Sequence, residues 1–225
     1  MKRLVLCIFL LTKIACFGQG EDDHINWSYN KYSFAIDDKW KMDILPKIRL
    51  NQNFTNLQNA MIDYKIKRPI GHGVTLGVLG RTWFIPNEKM RQFIWFDIDH
   101  KIPTPEISLN LSQRLRYHWG LDINDRIDRD FLRYRFVLGY IFDNCFIQPF
   151  IGAEPFFRLN GVNYFERLRT EFGFNFKANK NLTLTAFLSK EDFYDLEDVY
   201  TNFLWFTGMS YTFDQPLFKN KKIDN

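Results

Sequence analysis

Arginine pairs separated by a single residue are the polar feature of this sequence that most readily suggests chemistry. They recur three times, as Arg114/Arg116, Arg133/Arg135 and Arg167/Arg169. In an extended strand, residues i and i+2 point to the same face, so each pair places two guanidinium groups side by side. Guanidinium groups bind carboxylates in a bidentate manner and attract other anions. The spacing therefore predicts a charged surface for ion pairing or for anions.

Carboxylates that could balance these arginines lie on neighbouring segments, at Glu154, Glu171 and Glu191. If the polar faces all point into one interior, the charged groups form a lumenal ion-pair network. We predict that this network contains Arg114, Arg116, Arg133, Arg135, Glu154, Arg158, Arg167, Arg169 and Glu171. Two interpretations stay open: a structural plug, or a small passage that attracts anions because arginine exceeds glutamate on this face.

Patterns that would support catalysis are weaker. Asp97-Ile98-Asp99-His100 contains the groups with which omptin-like barrel proteases activate water, but here all three lie on one segment. Ser112 and His118, the residue types used by barrel lipases, are too far apart on one strand to form a hydrogen bond. The sequence lacks the GxSxG, HExxH and P-loop patterns. We therefore predict that the protein is not an enzyme and assign no catalytic residue.

Two acidic loops, 122–130 and 191–198, carry carboxylates of the kind that bind Ca²⁺ or Mg²⁺. Neither loop has EF-hand spacing, so we interpret both as solvated loops and predict no metal and no cofactor. The chain also has a formal net charge of only +4 and no basic run with interleaved aromatic residues, which argues against a nucleic-acid partner.

The elements that must position these groups are long alternating segments. The chain has 225 residues, of which 46% are hydrophobic and 18% aromatic, yet its mean hydropathy is only −0.30. Alternation of apolar and polar residues along strands reconciles these values. Ten segments after residue 39 have the two-residue period of strands: 40–53, 57–68, 73–85, 91–101, 106–119, 129–142, 145–159, 163–177, 181–191 and 201–213. Pro46, Pro149 and Pro155 predict bulges or shortened pairing within two of them.

A pattern of this kind suits both a soluble barrel or sandwich and a membrane barrel, which differ in the face that points inward. Three features favour the membrane. Residues 1–18 resemble a secretory signal, with an apolar run at 4–11 and small residues Cys16 and Gly18. Tyrosine and tryptophan lie near segment ends, as in an aromatic girdle. The last segment ends on Phe213.

That last segment resembles the closing strand of bacterial outer-membrane barrels, which the barrel assembly machinery reads as a signal. Its alternate residues Phe203, Trp205, Met209, Tyr211 and Phe213 predict the barrel-closing strand. We predict an all-β, antiparallel up-and-down transmembrane barrel of about ten strands, with twelve as the alternative. The barrel spans 40–213, residues 19–39 form a periplasmic or lumenal segment that does not span, and 214–225 form a periplasmic tail.

Several short pieces together resemble a family of uncharacterised outer-membrane β-barrel proteins of Bacteroidota and Proteobacteria, DUF2490. They are Trp27, Lys39-Trp40-Lys41-Met42, Arg114-Leu115-Arg116-Tyr117, Arg133-Tyr134-Arg135, Glu154-Pro155-Phe156-Phe157 and the Arg167/Arg169 pair before the Gly173-containing strand. The chain departs from the family at Leu79-Gly80-Arg81, where the family has a Gly-Tyr pair. The resemblance implies a barrel in the outer membrane but no known activity.

These observations predict a non-enzymatic barrel in the outer membrane of a Gram-negative bacterium. Its role would be structural or surface interaction, with the lumen plugged by the Arg/Glu network. The alternative is a narrow, porin-like passive pore that prefers anions, and an omptin-like or lipase-like hydrolase ranks last. The expected partners are outer-membrane lipid, lipopolysaccharide and the barrel assembly machinery, and we expect a monomer.

Overall fold

A computed structural model describes residues 25–215, except 52–54, 89, 105–107, 120–129, 143–144, 160–163 and 195–198. The predicted signal peptide and most of the predicted tail lie outside these residues. The described part of the chain forms eleven strands: β1 (Ile25–Ala35), β2 (Lys41–Asn51), β3 (Asn56–Gly71), β4 (Val74–Phe84), β5 (Arg91–Thr104), β6 (Leu109–Trp119), β7 (Phe131–Tyr140), β8 (Ile147–Arg158), β9 (Tyr164–Lys177), β10 (Leu182–Tyr194) and β11 (Val199–Thr212).

The strands close into one barrel in sequence order. Each strand is antiparallel to the next, whereas β1 and β11 are parallel to each other. A parallel closure is the geometric consequence of an odd number of up-and-down strands, because the first and last strands then run in the same direction. The prediction of an all-β barrel of antiparallel strands is thus confirmed, apart from the parallel pairing of β1 with β11.

The predicted strand count of ten, or twelve, is wrong. Residues 25–35, which we expected to belong to a periplasmic or lumenal segment that does not span, form β1 and pair with β2 on one side and with β11 on the other. The barrel therefore begins at Ile25 and not at residue 40. Without β1, the backbone N–H and C=O groups along β2 and β11 would be open sheet edges, and pairing satisfies them.

The parallel seam between β1 and β11 is held by side chains as well as by the backbone. The hydroxyl groups of Ser28 and Thr207 lie 3.1 Å apart and share a hydrogen bond. The ring of Tyr29 lies directly over Gly208, where a Cβ would come within 2.1 Å of the tyrosine Cζ. Gly208 thus allows the aromatic ring to cover the seam, a cross-strand arrangement that compensates for the missing glycine side chain.

The closing strand alternates as the sequence predicts. Leu204 and Phe206 are buried, whereas Phe203 on the opposite face is exposed. Phe213, just beyond the end of β11, stacks on Phe34 of β1 with ring centroids 4.4 Å apart. The aromatic terminus is therefore part of the seam that closes the barrel.

Prolines interrupt strand pairing at the expected places. The pairing of β1 with β2 skips Leu45 and Pro46, and that of β7 with β8 skips Glu154 and Pro155. Pro149 lies just beyond the last pair between β7 and β8. A proline ring has no N–H to donate to a neighbouring strand, so local loss of pairing is the expected result.

The two ends of the barrel differ. The turn end carries the end of β11 and the connections at 36–40, 72–73 and 178–181; the loop end carries the start of β1 and the connection at 85–90. The end of β6 and the start of β7 also lie at the loop end, as do the end of β10 and the start of β11.

Two turns at the turn end have clear local causes. The backbone N–H groups of Lys39 and Trp40 both donate to Asp37, at 2.7 Å, and hold the pKa of that carboxyl below its usual value. In the next turn, Gly73 has a φ of 76°, and a Cβ there would lie 2.0 Å from the carbonyl oxygen of Lys101. Only glycine fits this position without strain.

Candidate functional site in the barrel lumen

The strand register brings the arginine pairs of β6 and β7 into direct opposition. Arg114 pairs with Arg135 and Arg116 pairs with Arg133 across the two strands. Four guanidinium groups on one interior face repel each other unless carboxylates intervene. Those carboxylates come from strands further along the barrel wall.

Glu154 on β8 is the centre of the first group of ion pairs. Its side chain is fully buried and accepts hydrogen bonds from Arg114 at 2.8 Å, Arg133 at 3.0 Å and Arg169 at 3.3 Å. These donors come from β6, β7 and β9, which are adjacent to β8 or one strand further along the wall, so the contacts run along the inner face of the barrel. A buried carboxylate is stable only with such charge-assisted partners.

Two further glutamates extend this group along β9 and β10. Glu171 on β9 accepts a hydrogen bond of 2.5 Å from Arg135 on β7, and β8 lies between these two strands. Glu191 pairs with both Arg169 and Arg167, the latter at 3.4 Å. Arg169 therefore bridges Glu154 and Glu191 and joins the ion pairs of three strands.

Arg158 is the predicted member of the network that lies apart from it. Its guanidinium donates to the hydroxyl of Tyr164 at 2.9 Å, and no ion pair to a described carboxylate is found. Arg158 lies at the last position of β8, beyond the reach of the Glu154 group. Arg116 also differs from expectation, because its partner is an aspartate and not a glutamate.

That aspartate is Asp97, which sequence reasoning considered only as a catalytic candidate. Arg116 donates to it through Nε at 2.6 Å and Nη2 at 2.8 Å, and Lys65 Nζ donates to the same Oδ2 as Nη2 does, at 2.6 Å. Lys65 also contacts Asp99 at 2.5 Å. The geometry gives Asp97 the role of a saturated ion-pair partner. His100 lies at the opposite parity on β5 and so points to the other face of the wall.

Two more aspartates complete the network on the side of β2 to β4. Asp63 binds Arg81 through two hydrogen bonds of 2.6 and 2.8 Å and binds Lys47 at 2.7 Å. Asp43 pairs with Lys67 at 2.5 Å and with Lys31 at 3.3 Å.

The prediction missed this half of the network. The signal was present, because Asp63, Lys65 and Lys67 are spaced by two on one strand, as the arginine pairs are.

The lumenal ion pairs together join eleven cationic side chains to seven carboxylates among the described residues. The cations are Lys31, Lys47, Lys65, Lys67, Arg81, Arg114, Arg116, Arg133, Arg135, Arg167 and Arg169, and the carboxylates are Asp43, Asp63, Asp97, Asp99, Glu154, Glu171 and Glu191. We call this set the lumenal network. Its excess of positive charge makes the interior attractive to anions.

Three cavities lie along the lumen. The loop-end cavity, of about 400 Å³, has aromatic walls formed by Trp27, Trp83, Phe93, Trp95, Phe131 and Phe156. The central cavity, of about 610 Å³, is lined by Glu154, Arg114 and Arg135, and the turn-end cavity, of about 450 Å³, by Lys31, Lys41 and Lys101. Adjacent cavities share arginine and lysine side chains of the lumenal network in their linings.

Arginines and aromatic rings interleave at the floor of the loop-end cavity. The guanidinium of Arg81 lies 4.2 Å from the ring centroid of Trp95, and that of Arg116 lies 4.6 Å from it. Arg133 lies 4.3 Å, and Arg167 3.9 Å, from the ring centroid of Phe156. Such cation–π contacts hold the guanidinium planes in place.

The described ranges contain no group of three or more His, Cys, Asp or Glu side chains suited to a metal ion. The candidate acidic loop at 122–130 lies almost wholly outside the described residues, as does 195–198. Across the same ranges, no helix is both long enough and apolar enough to span a membrane.

The fold and the site define the class of this protein: a closed barrel with a charged interior. Residues 25–202 match the family described as "Protein of unknown function (DUF2490)", so the chain belongs to this family, and the resemblance seen in the sequence is confirmed. No curated protein and no solved structure matches the chain.

Proposed function

We propose that this protein is a non-enzymatic β-barrel of the bacterial outer membrane whose lumen is closed by the lumenal network. The observation that carries the proposal is the distribution of side chains across the wall. Charged groups pair inside the barrel, while large apolar groups cover its outside. This is the arrangement of a membrane barrel and the inverse of a soluble one.

The outer face supplies the main support. Apolar side chains between the two ends are widely exposed, including Ile48, Ile66, Ile98, Ile151 and Phe172, the last two at 54%. Single exposed apolar residues are ordinary, but a band around the whole wall marks a surface that contacts lipid or protein.

Aromatic residues concentrate at both edges of this band. Trp40, Tyr140 and Phe213 are exposed at the turn end, and Trp119 and Tyr194 at the loop end. Tryptophan and tyrosine favour the boundary between lipid headgroups and hydrocarbon. We therefore infer that outer-membrane lipid and lipopolysaccharide surround the barrel, and that the barrel assembly machinery inserts it through β11.

Cell fractionation and gel mobility test the location. We expect the protein in the outer-membrane fraction, with faster mobility in unheated than in boiled samples because a folded barrel resists SDS. Recovery in the soluble periplasm would contradict the membrane proposal. An Ile151→Arg variant provides an internal comparison, because an arginine on the lipid face costs roughly 2–4 kcal/mol at mid-membrane. Gln148→Arg on the inner face serves as its control.

A narrow, anion-preferring passive pore is the second candidate. Three cavities in series and the excess of lumenal cations favour it over a solid plug. Planar-bilayer recording separates the two candidates. The closed barrel predicts silence from the wild-type protein, and stable anion-selective steps would establish the pore.

The same recording identifies the closing element. If the lumenal network closes the barrel, Glu154→Ala and Glu171→Ala should raise conductance from the silent baseline by releasing the arginines that they hold. Asp192→Ala, which removes a carboxylate paired with Lys190 at the end of β10, is the matched control. Equal conductance in all three variants would show that the network does not close the lumen.

A further inference from the structure

We propose that the loop-end cavity is a binding site for a small aromatic oxyanion, a flat ring that carries a carboxylate. The inference goes beyond the proposed function and rests on the cavity itself, not on the location of the barrel. It combines the size of the cavity, its donors, its charge and its apolar walls.

The size and position of the cavity suit a small ligand. Its volume of about 400 Å³ lies within the range of small-molecule sites. Its lining comes from the loop-end halves of the strands, from Trp27 near the start of β1 to Phe193 near the end of β10. A ligand would therefore enter from the loop end.

Several residues that line the cavity carry buried N–H donors without a described partner. Trp95 is only 3% exposed, and its indole N–H has no hydrogen-bond partner among the described residues. The indole N–H groups of Trp27 and Trp83 are likewise buried without a described partner, as are the Nε–H groups of Arg133 and Arg167. Indole and guanidinium nitrogens only donate, so this set selects a ligand with several acceptor oxygens.

The charge of the lining specifies an anion. Six arginines line the cavity, namely Arg49, Arg81, Arg91, Arg133, Arg167 and Arg169, against two glutamates. Glu191 pairs with Arg167 and Arg169, and carboxylates outside the lining hold Arg81, Arg91 and Arg133. A carboxylate would meet donor groups that need an acceptor and a positive field that attracts it.

The aromatic walls specify the rest of the ligand. The ring centroids of Trp83 and Phe93 lie 5.9 Å apart, and the ring of Phe131 stacks on that of His118 with centroids 5.8 Å apart. These rings belong to the cavity lining, so the cavity has flat aromatic walls. The turn-end cavity is equally basic, but its lining contains no aromatic residue among those described. The aromatic lining is therefore what makes the loop-end cavity, and not the turn-end cavity, suited to a ring with a carboxylate.

Calorimetric titration of the purified barrel in detergent, with benzoate as the probe, tests the site. Benzamide is a neutral match of the same shape, and acetate is an anion without a ring. We expect saturable benzoate binding, with both comparison compounds weaker by about tenfold or more because each lacks one of the two recognised features. Equal affinities for benzoate and benzamide, or no saturation by about 10 mM benzoate, would overturn the proposal.

Trp83→Phe locates the binding within the barrel. The change removes one unpartnered N–H and keeps an aromatic ring, so benzoate affinity should fall about fivefold to tenfold. Trp205→Phe, on the outer face of β11, is the matched control and should leave the affinity unchanged. Unboiled gel mobility verifies that both variants are folded. Equal effects of the two substitutions would place the binding outside the loop-end cavity and refute the assignment.

Discussion

Glu154 keeps a charge in the barrel interior because three guanidinium groups surround it. Removal of one member of a buried ion pair leaves its partners uncompensated, which costs more than loss of the pair as a whole. Three arginines share this one carboxylate, and Arg169 has Glu191 as a second partner. The side chain is therefore a sensitive point of the structure, although no single position in the sequence shows it.

We predict that Glu154→Gln strongly destabilises the barrel. The substitution keeps the shape of the side chain and removes its charge, at a cost of about 3–5 kcal/mol. Thermal loss of the fast-migrating form on unboiled gels measures the effect. Asp192→Asn, at a more exposed ion pair, is the control and should change stability by less than about 1 kcal/mol. Comparable shifts in the two variants would contradict the central role of Glu154.

At the scale of the elements, the decisive feature is the parallel seam between β1 and β11. It joins the first strand to the last, so its formation requires contact between the two strands that are furthest apart in the sequence. Pairing of such distant strands carries a large loop-closure cost and tends to form late. The Ser28–Thr207 hydrogen bond and the Tyr29 ring over Gly208 fix the register there.

A disulfide tests the register of this seam. Ser28→Cys with Thr207→Cys, in a Cys145→Ser background, should cross-link on mild oxidation because the two native hydroxyls lie 3.1 Å apart. A difference in gel mobility between the oxidised and the reduced protein shows whether the disulfide has formed. Asn30→Cys with Thr207→Cys is the control, since Asn30 pairs with Met209 instead. Preferential cross-linking of the control pair would disprove the register, and cross-linking of neither pair would disprove the parallel closure.

At the scale of the whole molecule, the odd number of strands puts the start of the first strand and the end of the last strand at opposite ends of the barrel. β1 begins at the loop end and β11 finishes at the turn end. We propose that the turn end faces the periplasm, as short turns do in outer-membrane barrels. In that orientation the chain enters β1 from the outer side.

The exposed thiol of Cys145, near the turn end, reports this orientation. A maleimide on a polymer too large to cross the outer membrane should leave Cys145 unlabelled in intact cells and label it after the membrane is permeabilised. Glu88→Cys in a Cys145→Ser background, at the loop end, should react in intact cells. The reverse pattern would invert the barrel in the membrane.

Much of the wall could be predicted from the sequence because alternation is a local property. A period of two specifies which residues share a face, whatever the neighbouring strand is. The alternation therefore locates ten strands to within a few residues. It also assigns the arginine pairs to one face of the barrel wall. The disruptions at Pro46 and Pro155 were also foreseen, because proline lacks a donor wherever it lies.

Only the tertiary structure decided the features that depend on strand register and on barrel closure: the membership of β1, the ion-pair partners and the loop-end cavity. Residues 25–35 alternate like the other strands, but their membership of the barrel required a parallel partner at the far end of the chain. The pairing of Arg116 with Asp97, and not with a glutamate, follows from the offset between β5 and β6, which a local pattern does not contain. The loop-end cavity has the same origin: its tryptophans and arginines lie on strands distant in sequence, and barrel closure alone brings them to one wall.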